Sequence, residues 1–202
     1  MRNRIRENCR KPKVFFGFLS IRKMNKHHKE LSLWGMDKVD WNDRKNILEI
    51  GCGGGVNIHR LLKKYPHAVV DGIDYSETAV KSSKKENKKY LDQRCHIYQA
   101  DVMNLPLEDN SYDAAIGIET IYFWPDLTGG LKEIYRTLKP FGQLVLIVEM
   151  SDPVACASLC RECPGLRVYT DSEIELALLT VGFSQVKIVR KEQWLTIIAD
   201  KK

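Results

Sequence analysis

Short apolar runs and helically spaced apolar stripes alternate along most of this chain. Ile47–Ile50 is an apolar run that breaks into glycines at Gly51, after which Ile58, Leu61, Leu62 and Tyr65 recur at helical spacing until Pro66 stops the pattern. Buried parallel strands read as continuous apolar runs, so this stretch predicts strand, tight loop and helix. The unit then repeats. Ala68–Asp74 predicts a second strand, followed by a helix that Ser76 caps and that runs toward Leu91; Cys95–Val102 predicts a third strand. A turn-rich loop over 104–113 leads into a fourth strand at Ala114–Ile118. Leu127, Leu131, Ile134, Tyr135 and Leu138 then share one face of a helix over 126–138, whose first turns Gly129-Gly130 weaken. Lys139–Gly142 predicts a turn and Gln143–Glu149 a fifth, buried strand. Thr170-Asp171-Ser172-Glu173 is a capping box opening a helix that Gly182 ends, and strands are expected around Gln185–Arg190 and Gln193–Ala199. Upstream, residues 12–34 mix apolar and basic positions as one or two amphipathic helices interrupted near Gly17, and Gly35–Asn46 reads as a polar connector. Strands alternating with helices predict an α/β fold around a largely parallel sheet.

Composition narrows the class without changing that picture. At 202 residues the chain has the size of one domain and buries roughly 70% of its unfolded surface. The net charge of +6 is modest, and Lys81, Lys84, Lys85, Lys88 and Lys89, the densest basic stretch, spread over a solvated helix face. No nucleic-acid partner is expected. The run Val14–Ile21 after a basic start is short and lacks a small-residue cleavage site, so it does not predict a signal peptide, and no stretch reaches the ~18 apolar residues of a membrane span. No membrane association and a cytoplasmic location are the expectation. The six cysteines are expected to be thiols.

The candidate chemistry gathers where strands end. Glycines after a strand let backbone approach a ligand at the carboxyl edge of an open sheet, where such folds bind. The glycines do not fit G-x-G-x-x-G, because Val56 or Ile58 stands where the third glycine would be needed, which weakens a dinucleotide reading. Glu49 is an acid inside an apolar strand and must meet a cation or several donors. Asp74 lies nineteen residues beyond Gly55, near the ~20 expected of an acid that accepts from a ribose diol. Glu119–Pro125 brings one acid and three aromatics to the end of the fourth strand, which suits either a ligand wall or, for Phe123 and Trp124, plain core. The adjacent His27 and His28 point in different directions on a helix, so no metal site is expected there. Cys156, Cys160 and Cys163 have the spacing of iron–sulfur ligands but not the context, and they read as partly buried thiols on a helix.

The stretch Glu49-Ile50-Gly51-Cys52-Gly53-Gly54-Gly55, with the later acids in order and the wording Leu105-Pro106-Leu107…Asp109…Ser111-Tyr112-Asp113, resembles class I S-adenosylmethionine-dependent methyltransferases of the small-molecule, methyltransferase-11/25-like branch. The likeness runs from about Ile47 to Glu149 and loosens beyond. It implies a three-layer α/β/α Rossmann-like sandwich with a seven-stranded, mostly parallel sheet closed by an antiparallel C-terminal hairpin. It further implies an N-terminal helical lid over 1–45 on a single methyltransferase domain over 46–202. The implied cofactor is S-adenosyl-L-methionine, with S-adenosyl-L-homocysteine as product. Glu49, Gly51, Cys52 and Gly53 would hold its methionine part and Asp74 the ribose, with Tyr75 also among the cofactor-binding residues. Asp101 and Val102 would meet the adenine, and Ile118 completes the set. Glu119 and Tyr122 are the implied catalytic residues, His28 and Trp124 face the substrate, and Glu119, Tyr122 or a lid histidine could take the acceptor's proton. The expected partner is a small-molecule acceptor, the chain being a monomer or homodimer. A nicotinamide-dependent oxidoreductase, a protein or RNA methyltransferase, and a non-catalytic S-adenosylmethionine-binding protein remain as alternatives.

Overall fold

The computed structural model describes residues 28–163 and 165–202. The expected helices over 12–27, His27 and Cys9 lie outside the described residues. Seven strands form one sheet: β1 (Asn46–Ile50), β2 (Val69–Asp74), β3 (Ile97–Gln99), β4 (Tyr112–Ile118), β5 (Leu138–Val148), β6 (Phe183–Lys191) and β7 (Trp194–Lys201). Their order is β3-β2-β1-β4-β5-β7-β6; β1 to β5 are parallel to one another, and β7 runs antiparallel to both β5 and β6. The helices are α1 (Lys29–Met36), α2 (Val56–Lys64), α3 (Glu77–Glu86), α4 (Leu127–Thr137), α5 (Ala157–Glu162) and α6 (Asp171–Val181).

Alternation along the strands divides the core in two. Leu48, Ile50, Leu144, Leu146 and Val148 pack with Leu131 and Ile134 of α4 and with Ile174 and Leu178 of α6. Ile47, Val145 and Ile147, one residue out of phase, pack with Leu31 of α1 and with Ile58 and Leu61 of α2. Successive side chains on a strand point to opposite faces, so each buried strand feeds both layers. The result is the expected three-layer α/β/α sandwich. β1 pairs with β2 on one side and β4 on the other, and the chain reverses its direction across the sheet between β1 and β4. Open α/β sheets hold ligands at the carboxyl ends of the strands at such a reversal.

Four expectations need correction. The segment Gly35–Asn46 is not a polar connector: α1 runs through Met36, and Trp41 is 1% exposed, its indole N–H donating to the Met36 carbonyl at 2.8 Å. Residues 28–45 thus pack into the same core as β1. The helix after Asp74 stops at Glu86 and not near Leu91, because the buried Asn87 amide turns back to donate to the Ser83 and Gly55 carbonyls. The third strand is three residues long, its continuation being a turn in which Asp101 accepts from the Met103 amide. The Lys139–Gly142 turn lies within β5, as an excursion between the Tyr112–Leu138 and Ala114–Gln143 pairs with Phe141 at φ +63°.

Candidate functional site

A single cleft at the carboxyl ends of β1, β2 and β4 gathers the residues the sequence singled out. Glu49, Gly51, Cys52, Gly53, Asp74, Tyr75, Asp101, Val102 and Ile118 all line it, as do Glu119, His28 and Trp124. Tyr122 does not line it.

At the β1 end the loop makes three sharp left-handed steps, with Gly51 at φ +68°, Gly53 at φ +52° and Gly55 at φ +75°. A side chain at Gly51 would run into the Thr120 hydroxyl, whereas one at Gly53 would project into open space. The backbone therefore presents itself bare to the cleft at Gly53. The Gly53 amide donates to Asp74 Oδ2 at 2.9 Å and the Ser76 amide to Oδ1 at 2.8 Å, so Asp74 is fixed while each oxygen keeps a second lone pair. Burial raises its pKa, and the two amides oppose that shift. Ser76, and not Asp74, caps α3.

Glu49 is 2% exposed. Its Oε1 accepts from the Asn57 amide at 3.2 Å, and Arg60 in turn donates to Asn57 Oδ1 at 2.6 Å. Oε2 is buried and has no partner. Burial pushes the carboxyl up to about 8; Asn57 and the Ile58 amide lower it, Asp74 raises it, and Arg60 lowers it slightly. The expected cation is thus half supplied: Arg60 acts through Asn57, and one carboxylate oxygen is left for a ligand. Asn57 and Arg60, which line the cleft, were not singled out in the sequence. Their only signal is a spacing of three on α2 just after the glycines.

At the β4 end Glu119 adopts φ +54°, unusual for a side chain of its size. Its Oε1 accepts from the Glu149 amide at 2.6 Å and from the Tyr122 hydroxyl at 2.9 Å. His28 Nε2 stands 3.7 Å from Oε2. Burial drives the Glu119 carboxyl up to about 7, the two donors lower it, and the Glu149 charge raises it. Tyr122 is 1% exposed, and its oxygen also accepts from the Met150 amide. It buttresses Glu119 from behind the wall. Trp124 gives the cleft an apolar edge while its indole N–H donates inward to Thr120 Oγ1 at 3.3 Å. Cys156 and Cys160 are half-buried near α5 and Cys163 is buried. Among the described residues these three thiols do not converge as a ligand set; His28, Glu119 and Glu149 do.

An open doubly wound sheet with glycines, a strand-buried acid and a strand-end acid around one cleft defines a fold that binds nucleoside-type cofactors. Residues 48–146 match the profile of a family described as a methyltransferase domain. The chain is 36% identical over 97 residues to cycloartenol-C-24-methyltransferase of Arabidopsis thaliana, covering 48% of this chain and 29% of that protein. It is 29% identical over 126 residues to an uncharacterized Bacillus subtilis methyltransferase, covering 62% of this chain and 68% of that one. Geranyl diphosphate C-methyltransferase from Streptomyces coelicolor, crystallised with Mg2+, geranyl diphosphate and S-adenosyl-L-homocysteine, superposes with a TM-score of 0.75 at 14% identity, over 86% of this chain and 77% of that one. The chain carries this methyltransferase domain over residues 48–146, on a fold shared with class I S-adenosylmethionine-dependent methyltransferases. It spans less than half the length of the Arabidopsis sterol methyltransferases it matches.

The family's cofactor is S-adenosyl-L-methionine, and the residues present fit it. The orphaned Glu49 oxygen suits its ammonium, the bare backbone at Gly53 its close approach, and Asp74 a diol.

Proposed function

We propose that this protein transfers a methyl group from S-adenosyl-L-methionine to a small-molecule acceptor bound at the Glu119 end of the cleft. The observation that carries the reading is the buried, partnerless Oε2 of Glu49, which lines one continuous cleft with Glu119. An orphaned buried acceptor is costly unless a ligand completes it.

The bound cofactor supplies an electrophilic methyl group on a sulfonium. Glu49 Oε2 takes the ammonium, and Arg60, held by Asn57, stands beside it for the carboxylate. Asp74 accepts from the ribose hydroxyls, with Tyr75 alongside. Asp101 and the Val102 amide meet the adenine, against Ile118. Gly51, Cys52 and Gly53 keep the floor of the cleft narrow. Glu119 and His28 are the polar groups that meet the acceptor, with Phe123 and Trp124 as its apolar wall. Tyr122 positions Glu119. Residues 28–36, the described part of the N-terminal segment, act as a cover on the acceptor side through His28 and Ser32, which line the cleft. Alignment of acceptor and methyl is the main contribution of such a site and supplies ~7–11 kcal/mol. Sterol, malonyl-[acyl-carrier protein] and geranyl diphosphate methyltransferases among the relatives support a small-molecule acceptor.

The test is turnover of radiolabelled S-adenosyl-L-methionine over a panel of small acceptors, with Glu119→Gln as comparison. The expected result is a transfer product with at least one acceptor, lost roughly 10²-fold or more in the variant while S-adenosyl-L-homocysteine affinity stays unchanged. Equal turnover in both proteins contradicts the role of Glu119.

A further inference from the structure

The acceptor end of the cleft holds a set of side chains that methyl transfer alone does not require. His28 at the start of α1, Glu119 after β4 and Glu149 after β5 each bring one ligand atom within 4.8 Å of the others. The three come from distant parts of the chain. Both carboxylates are held from outside: Glu119 Oε1 by the Tyr122 hydroxyl and the Glu149 amide, Glu149 Oε1 by the Gln193 amide at 3.0 Å and the Trp194 indole at 3.3 Å. Outer donors of this kind orient carboxylates that bind metals. Glu119 also keeps a left-handed backbone that aims its carboxylate at this point.

We infer that His28, Glu119 and Glu149 form a binding site for one borderline divalent cation, of the class of Mn2+, Fe2+ or Zn2+, at the acceptor end of the cleft. One imidazole with two carboxylates suits these ions, whereas Mg2+ and Ca2+ prefer oxygen throughout. The 3.7 Å between His28 Nε2 and Glu119 Oε2 is too long for a hydrogen bond. A cation ~2.1 Å from each of those atoms would subtend about 120° between them, within the range of four- and five-coordinate sites. Glu119 and His28 line the cleft, so a coordination position faces the acceptor. Resting here on the methyl-transfer reading, the acceptor is one that offers an anionic or ionisable oxygen as a further ligand. Neither the adjacent pair His27-His28 nor the three cysteines predicts a metal site from sequence; the convergence of His28 with Glu119 and Glu149 is a different arrangement, made by the fold.

The test is titration of the full chain with Mn2+, followed by loss of the free-ion paramagnetic resonance signal, with Zn2+ as competitor. It is run on the natural protein, Glu149→Gln and His28→Ala, each checked by circular dichroism, and S-adenosyl-L-homocysteine is titrated separately by calorimetry. His28 makes no side-chain cap to α1, so its removal spares the helix. The expected result is one Mn2+ per chain, displaced by Zn2+ and bound roughly tenfold or more weakly by either variant. No saturable binding up to on the order of 1 mM, or equal binding by all three proteins, overturns the site and leaves a histidine–glutamate ion pair in its place. S-adenosyl-L-homocysteine binding without Mn2+ binding refutes the cation site alone; Mn2+ binding without S-adenosyl-L-homocysteine binding refutes the cofactor reading alone.

Discussion

Glu49 is the residue on which the proposed cofactor end turns. Its neighbours are Asn57, Arg60 and the Ile58 amide, which favour the charged form, and Asp74, which opposes it; burial outweighs them all. A carboxyl raised from 4.5 to about 8 stays protonated in the folded protein where the unfolded chain has already released the proton. Its contribution to stability is therefore complete below about pH 4.5 and is lost as pH rises to about 8. The thermal midpoint of the unliganded protein is expected to fall between pH 5 and pH 8, and to fall less in Glu49→Gln. The remaining slope belongs in part to Glu119, raised to about 7 by burial. On the proposed assignment of Glu49 to the cofactor's ammonium, ligand binding has the opposite dependence, because the ammonium requires the charged form. Affinity for S-adenosyl-L-homocysteine is expected to rise from pH 6 to pH 8 in the natural protein, and to be at least ~tenfold weaker with a flat profile in Glu49→Gln. A Glu49→Gln protein that binds as tightly as the natural one contradicts this assignment.

At the scale of elements, the strands of the parallel sheet were legible because they are buried on both faces and read as unbroken apolar runs. The cleft residues on them were legible too, since each stands at a strand end with a characteristic neighbour: Glu49 before glycines, Asp74 after Ile73. What the pattern missed depends on contacts distant in sequence. Trp41 sits in a polar stretch, and only the packing of α1 over Ile147, with Gly35 pressed against that side chain, makes it core. Asn87 ends α3 by binding the carbonyl of Gly55, thirty-two residues away. Tyr122 reads as a pocket aromatic, yet the turn over Ile121–Phe123 rotates it inward to Glu119. Trp41→Ala is expected to destabilise the protein by about 3–5 kcal/mol in urea unfolding, as large aromatic truncations in cores do. A loss below ~1 kcal/mol would show that residues 28–45 do not share the core.

For the whole molecule, the reversal of strand order between β1 and β4 places Glu49 and Glu119 at neighbouring strand ends, with the sheet as a rigid floor. His28 and Ser32 bring the segment 28–36 to the same cleft. Among the described residues no helix is long and apolar enough to cross a membrane. Because the cleft draws on β1, β2, β4 and α2 together, a ligand there binds only the folded chain. Saturation at 100 times Kd is expected to add ~2.7 kcal/mol, which for a chain of this size raises the thermal midpoint by roughly 5–11 °C. No shift would mean that the cleft is not the binding site.

Occupation of this cleft by S-adenosyl-L-methionine is measured by isothermal titration calorimetry. S-adenosyl-L-homocysteine is titrated into the natural protein and into Asp74→Ala, with NADH run beside it. Micromolar, one-to-one binding of the first ligand alone, lost in the variant, is the expected result. Absence of that binding, or tighter binding of NADH, rules out S-adenosyl-L-methionine as the ligand of this cleft.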